Sequence, residues 1–324
     1  MTDDRLLLEA SATDLMSEAA VFEAIESVFA AMARDEARNF PVIREAIGYA
    51  DALYGFKAGF DSAGLVLGVK AGGYWPGNMA KGLTNHQSTV LLFDPDTGRI
   101  KAAVGGNLLT ALRTAAASAV SIKHLARPDA RVLGMVGAGH QSAFQMRAAV
   151  RARKFDKVVG WNLHPEMLSR LADTAVELGL PFEVVDLPQL GAQADVIITI
   201  TSSFAPILLS GHIRPGTHLA CMGTDTKGKQ EVEAALFPRA RLFADEVEQS
   251  VTIGEAQHAV AQGLIATGDI TPLGAVIAGL APGRTSPEEI TLFDGTGVGL
   301  QDLAVASVAV DIARARGLAL EVEL

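Results

Sequence analysis

The chain has 324 residues, 49% hydrophobic and 20% charged, which excludes a disordered or low-complexity polypeptide and allows two domains. Lys plus Arg number 27 against 37 Asp plus Glu, and the resulting net charge of −10 opposes binding to nucleic acid or to an anionic membrane surface. The single cysteine, Cys221, excludes an internal disulfide or multi-thiolate metal centre, and Arg113 and Asp195 interrupt the longest apolar runs before the roughly 18 residues of a membrane span. The opening MTDDRLLLEA is acidic rather than basic-then-apolar, so a cytoplasmic protein is expected.

Residues 13–36 bring Leu15, Ala19, Val21, Ile25, Val28, Phe29 and Met32 to helical spacing. After Pro41, residues 53–60, 64–73 and 88–94 read as strands, the last entering the turn DPDTG, so a small mixed sheet with hairpin connections is expected. Residues 108–126 form a small-residue helix closed by Arg127-Pro128. From residue 131, apolar strands at 131–137, 157–161, 182–187, 195–201, 218–223 and 241–246 alternate with helical segments. Continuous apolar runs predict strands covered on both faces, as in a parallel sheet. Residues 301–317 return to helix. The fold class is therefore α/β, with a Rossmann-like block beginning near residue 121.

Gly137-Ala138-Gly139-His140-Gln141-Ser142 follows an apolar strand and opens a helix. Gly137 permits the tight turn, Gly139 leaves room for a pyrophosphate, and the helix N-terminus offers it free N–H groups. The same turn also serves a plain strand-to-helix connection; the βαβ frame favours the nucleotide. The second strand ends at Asn162-Leu163-His164, with neither the acid that selects NAD nor an arginine for a 2′-phosphate. Asn162 can bond a ribose hydroxyl, and the lean is to NADH over NADPH.

Three cations sit in apolar or glycine-rich surroundings: Arg44, Lys70 and Arg113. Lys70 interrupts an apolar strand, where its pKa can fall far enough to exchange a proton, and Arg113 can clamp a carboxylate. Each also has an ordinary reading as an exposed or structurally paired side chain. Asp225 follows a Rossmann strand at the end where ligands bind, and reads as a proton relay or a helix N-cap for the segment after Lys229. The seven histidines form no HxH, HxxxH or HExxH spacing, so no metal is expected.

PVIRE, LGVKAGG, the stretch from NHQSTVLLFDPDTG to TALRTAAAS, GMVGAGHQS, HLACMGTDTKGKQEV and TLFDGTGVGLQDLAVA together resemble the ornithine cyclodeaminase/mu-crystallin family over nearly the whole chain. The resemblance implies a homodimer, with residues 1–120 plus 301–324 as a smaller α+β dimerisation and substrate domain. Into it is inserted a Rossmann NAD(P)-binding domain, 121–300. It implies an NAD(P)H-dependent oxidoreductase acting on imines, amino acids or keto acids. Lys70 and Asp225 would be catalytic, and Arg44, Lys70 and Arg113 would hold the substrate carboxylate. Arg113, Thr114, Gly137, Ala138, Gly139, His140, Gln141, Asn162, His164, Thr201, Met222, Gly223 and Gly297 would hold the dinucleotide.

Ornithine-cyclising members carry a glutamate for the distal amine; the matching stretch here, Tyr54-Gly55-Phe56-Lys57, has no carboxylate. A cationic substrate end would lack a partner. His86 and Ser88 lie where neutral donors and a cation suit a second carboxylate. The chain is most similar to the branch that reduces iminosuccinate to L-aspartate, so a small anionic imino, keto or amino acid is the expected ligand. Alanine dehydrogenation, cyclic ketimine reduction, a cyclodeaminase-type lyase and a non-catalytic dinucleotide-binding protein are the alternatives.

Overall fold

The computed structural model describes residues 5–8 and 15–322, and the chain divides into two units, one running to Arg113 and resuming at Val298, the other spanning Thr114–Gly297. The first passage falls inside the helix Gly106–Leu125 and the second just ahead of the helix Gly299–Ala315. The boundaries expected at 120/121 and 300/301 lie further along these same helices, where no change of composition marks the passage.

In the first unit, strands take the order Leu320–Val322, Arg5–Leu8, Ile100–Gly105, His86–Phe93, Val66–Tyr74, Leu53–Asp61 and Ala37–Asn39, and Ile43–Ala46 also pairs with Leu53–Asp61. The small hairpin sheet expected from sequence is thus larger: it gains a parallel pairing of Arg5–Leu8 with Ile100–Gly105 and an antiparallel edge at Leu320–Val322. The helix expected over 13–36 is Glu18–Ala33, capped by the Ser17 hydroxyl, and its expected start at 13–14 lies outside the described residues.

Alternation decides what the sheet can hold. On one face, Gly59 and Gly68 let the helix Gly299–Ala315 approach closely: a Cβ on Gly59 would fall 3.0 Å from Leu300 Cδ2, and one on Gly68 2.8 Å from Leu303 Cδ2. That face also carries Lys57 opposite Lys70, and Lys70 opposite Val90.

In the second unit, eight parallel strands run in the order Phe182–Val184, Lys157–Trp161, Val132–Val136, Val196–Thr199, His218–Cys221, Ile290–Asp294, Ala240–Ala244 and Ile270–Pro272. Val196–Thr199, His218–Cys221 and Ile290–Asp294 are buried throughout, and Val132–Val136 from Leu133 onward, as their unbroken apolar runs require. Strand order reverses between Val132–Val136 and Val196–Thr199, which puts the ligand crevice of such a fold beyond Val136 and Thr199. The strand expected over 182–187 stops at Val184, because Asp186 caps the helix Leu187–Gln193: its carboxylate accepts from Gln189 N at 2.8 Å. Among the described residues, no helix is long and apolar enough to cross a membrane.

Candidate active site

The first unit brings several of the predicted residues to one sheet face. Arg44 pairs with Gly55, Gly55 with Gly72, and Gly72 with Ser88, while Tyr74 pairs with His86. Lys57 and Lys70 form the adjoining row, so Arg44, Lys57, Lys70, His86 and Ser88 all project from the same side. The row between Arg44 and Ser88 has no side chains of its own, and a Cβ on Gly72 would stand 2.5 Å from Ser88 Cβ. Ser88 Oγ is buried and, among the described residues, has no hydrogen-bond partner. Its backbone N–H donates to Asn107 Oδ1 at 2.9 Å.

Asp302 organises the cations. It is fully buried in the first turn of the helix Gly299–Ala315, with Lys70 Nζ 2.6 Å from Oδ2 and Arg113 Nε 3.1 Å from Oδ1. Arg113 Nη1 donates to the neighbouring Gln301 Oε1 at 3.0 Å. Burial lowers the Lys70 pKa from 10.5 to about 7, with Arg113 and Lys57 pushing it down further and Asp302 holding it up. For Asp302 itself burial works upward, but Arg113 and Lys70 keep its carboxyl below the usual range. Lys57 contributes in the same sense, so its ammonium is within electrostatic reach of the pair. Sequence reasoning found Lys70 and Arg113 but missed Asp302, Gln301 and Lys57. The available signal was an aspartate, Asp302, at the head of the largely apolar run QDLAVASVAV.

The second unit builds a dinucleotide cradle. Gly137 has φ +110°, and a Cβ there would lie 2.6 Å from Ile200 O, so only glycine fits the turn. Gly139 faces open space: no atom lies within 4 Å of where its Cβ would be. Gln141 Oε1 is a buried acceptor without a partner among the described residues. The helix Ser142–Ala152 starts immediately after, with Ser142 Oγ donating to Gly139 O at 2.7 Å. An open glycine turn, an unsatisfied amide and a helix N-terminus at the strand switch point fit a dinucleotide.

Asn162 ties this turn to the second strand: its Oδ1 accepts from Ala138 N at 3.0 Å and its Nδ2 donates to His164 O at 2.8 Å. Both ends of the carboxamide retain further bonding capacity. His164 is exposed beside Glu166. Burial, then Arg170, lowers the His140 pKa. Arg170, not singled out from sequence, donates to Ala138 O at 3.1 Å.

Buried carboxylates fix the loops at the carboxyl ends of these strands. Glu231 accepts from Thr199 Oγ1 at 2.6 Å, Thr201 N at 2.6 Å and Gly223 N at 2.8 Å. Glu255 accepts from the backbone N–H of Glu231 and of Val232, each at 2.8 Å, and from the Thr224 hydroxyl. Asp245 accepts from Gly297 N at 2.7 Å and from Thr296. Burial, the nearby Glu231 and Asp294 push Glu255 from 4.5 up to about 8. Burial lifts Asp294 from 3.8 to about 7. Thr201, Met222, Gly223 and Gly297, expected from resemblance, thus stand on or beside this scaffold, and Thr114 is buried in the helix Gly106–Leu125.

Asp225 is half-buried on the loop after His218–Cys221 and accepts from Lys229 Nζ at 2.8 Å and Thr226 Oγ1 at 3.2 Å. The segment after Lys229 is the strand Gln230–Val232, so the helix N-cap reading of Asp225 does not hold.

The chain is 67% identical over 98% of its length, and 99% of the relative's, to an iminosuccinate reductase from Paracoccus denitrificans. The crystal structure of the Paracoccus denitrificans iminosuccinate reductase in complex with NAD+ matches with TM-score 0.96 and 66% identity, covering 99% of this chain and 100% of that one. An archaeal alanine dehydrogenase dimer with bound NAD matches with TM-score 0.93 and 30% identity, covering 99% of each chain. The family model of the ornithine cyclodeaminase/mu-crystallin family matches residues 9–317, and the chain belongs to that family.

Proposed function

We propose that this protein reduces iminosuccinate to L-aspartate with NADH. The observation that carries the reading is the group of cations, Lys70 from the sheet and Arg113 from the helix Gly106–Leu125 gathered on Asp302 with Arg44 one row from Lys70, in a chain so similar to an iminosuccinate reductase. Lys70 and Arg113 take the carboxylate next to the imine carbon, and Arg44 adds charge to the same anion. Ser88 Oγ, buried and unpartnered, and His86 face the remainder of the substrate.

Gly137, Gly139, Gln141 and the N-terminus of the helix Ser142–Ala152 hold the dinucleotide, with Asn162 at the ribose. Bound NADH supplies the hydride that the imine carbon accepts. Lys70, with its pKa near 7, can lose a proton to the imine nitrogen at neutral pH, and Asp302 keeps its ammonium in position. Asp225 is the other candidate donor. Its carboxylate is already engaged by Lys229 Nζ at 2.8 Å, so Lys70 is preferred.

A cytoplasmic homodimer completes the proposal. The opposite face of the first sheet displays Tyr54, Phe56, Phe60, Leu67 and Val69 by alternation, with Phe56 42% exposed, an apolar surface suited to a second copy. NADH oxidation with ammonium plus oxaloacetate or pyruvate tests the function. Rapid ammonium-dependent oxidation with oxaloacetate is expected. A preference for pyruvate, or no oxidation with either, counts against it.

A further inference from the structure

We propose that Glu231 is a positioning residue for the dinucleotide: its buried carboxylate sets the two loops on the nicotinamide side of the glycine turn and acts on binding only through them. This role needs a bound dinucleotide and is independent of which imine is reduced. Dinucleotides cross such a sheet at the strand switch point, one half on either side. Asn162, just past the strand Lys157–Trp161, marks the side of the adenosine ribose. The other half therefore passes beyond Val196–Thr199 and His218–Cys221, where the loops carrying Thr201 and Gly223 begin. Thr201 also borders the glycine turn itself: a Cβ on Gly137 would lie 3.0 Å from Thr201 Cγ2.

Glu231 ties those two loops together. It lies on the strand Gln230–Val232 and is fully buried. Its Oε1 accepts from Thr201 N at 2.6 Å and from Thr201 Oγ1 at 2.8 Å. Its Oε2 accepts from Gly223 N at 2.8 Å and from Thr199 Oγ1 at 2.6 Å. Gly223 sits hard against it, since a Cβ there would lie 2.5 Å from Glu231 Oε1. Each oxygen thus faces a backbone N–H, a donor that cannot turn into an acceptor. A carboxamide would satisfy one of these and set its own NH2 against the other. Glu255, in the same cluster, differs. Its Oε1 takes both backbone N–H groups, those of Glu231 and Val232, and its Oε2 meets the Thr224 hydroxyl, which can donate or accept. Glutamine at 255 keeps every one of these bonds, and glutamine at 231 does not.

Calorimetric titration of the full-length protein with NAD+ and with AMP, on wild type, Glu231→Gln and Glu255→Gln, tests this. In Glu231→Gln the NAD+ affinity is expected to fall about 5- to 50-fold, the scale of one buried donor left unpaired, with AMP held within about twofold. Glu255→Gln is expected to bind both ligands as wild type does. A merely structural role for Glu231 would move both ligands together, so equal loss of NAD+ and AMP overturns the proposal. Unchanged NAD+ affinity in Glu231→Gln, the same NAD+ loss in Glu255→Gln, or wild type that binds NAD+ no more tightly than AMP also overturns it. Should Glu231→Gln fail to fold, Thr199→Val takes its place, removing one donor from Oε2 while keeping the side chain's shape. NAD+ affinity is then expected to fall about two- to fivefold with AMP unchanged, and an unchanged ratio overturns the proposal. No imine enters these titrations, so their outcome stands apart from that of the oxaloacetate assay.

Discussion

The two units bury charge in opposite ways. In the first, three cations surround one carboxylate, Asp302, and the closest of them, Lys70, has its pKa pulled to about 7. In the second, Glu231, Glu255 and Asp294 are buried with backbone N–H groups and hydroxyls as partners. Those carboxylates draw their partners from the chain itself, Asp294 through Oδ2 alone, and pin the loops that end the strands; burial, with Glu231 and Asp294 nearby, keeps Glu255 protonated near neutral pH. A buried charge is costly unless it is paired: Lys70 and Arg113 meet on the Asp302 carboxylate, whereas these carboxylates of the second unit are held by hydroxyls and backbone N–H groups.

The largest effects should come from emptying the cationic side. Lys70→Ala and Arg113→Ala should each cut kcat/KM by about 10²–10³-fold while NAD+ binding is retained. Steady-state kinetics beside a dinucleotide titration checks this, and near-normal turnover in either variant breaks the assignment.

Asp302→Asn sharpens the comparison. Asp302 raises the Lys70 pKa, so its loss moves that pKa below about 7. The limb of kcat/KM that reports protonated Lys70 should move to lower pH, and activity at neutral pH should fall about tenfold for every pH unit the limb travels. A limb that stays in place means Asp302 only fills space.

On the carboxylate side the expected effect is on stability. Glu255 titrates near 4.5 when unfolded and at about 8 when folded, so the folded state binds the extra proton between those values. Its contribution is fully present below pH 4.5 and is lost as pH rises through 8. Glu255→Gln should flatten that decline by up to about 1 kcal/mol per pH unit, read from thermal unfolding across the window. A slope identical to wild type would place the titration elsewhere.

The smallest effect concerns cofactor choice. Leu163 is 72% exposed just after Asn162, and Leu163→Arg should improve kcat/KM for NADPH about two- to fivefold, the scale of an exposed ion pair. No gain would put the ribose contacts elsewhere.

The alternating strands and helices of the second unit were legible because each strand is a continuous apolar run and Gly137 opens a recognisable turn. Lys70 and Arg113 were legible for the opposite reason, as charges in apolar surroundings. Asp302 was not, because the strand that carries its partner Lys70 lies far away in sequence and only the folded sheet brings them together. Lys57 reads as an ordinary strand lysine until the register sets it opposite Lys70. Glu231 and Glu255 look like surface acids in a chain with 37 acidic residues, and their burial depends on loops contributed by separate strands. Conversely, FEVVDL reads as one strand, although Asp186 and Pro188 start a helix inside it.

Incubating the protein with oxaloacetate, NADH and isotopically labelled ammonium tests the central claim most directly. The account predicts labelled L-aspartate in equal amount to the NADH consumed. NADH consumption that yields malate, or aspartate without the label, would contradict it.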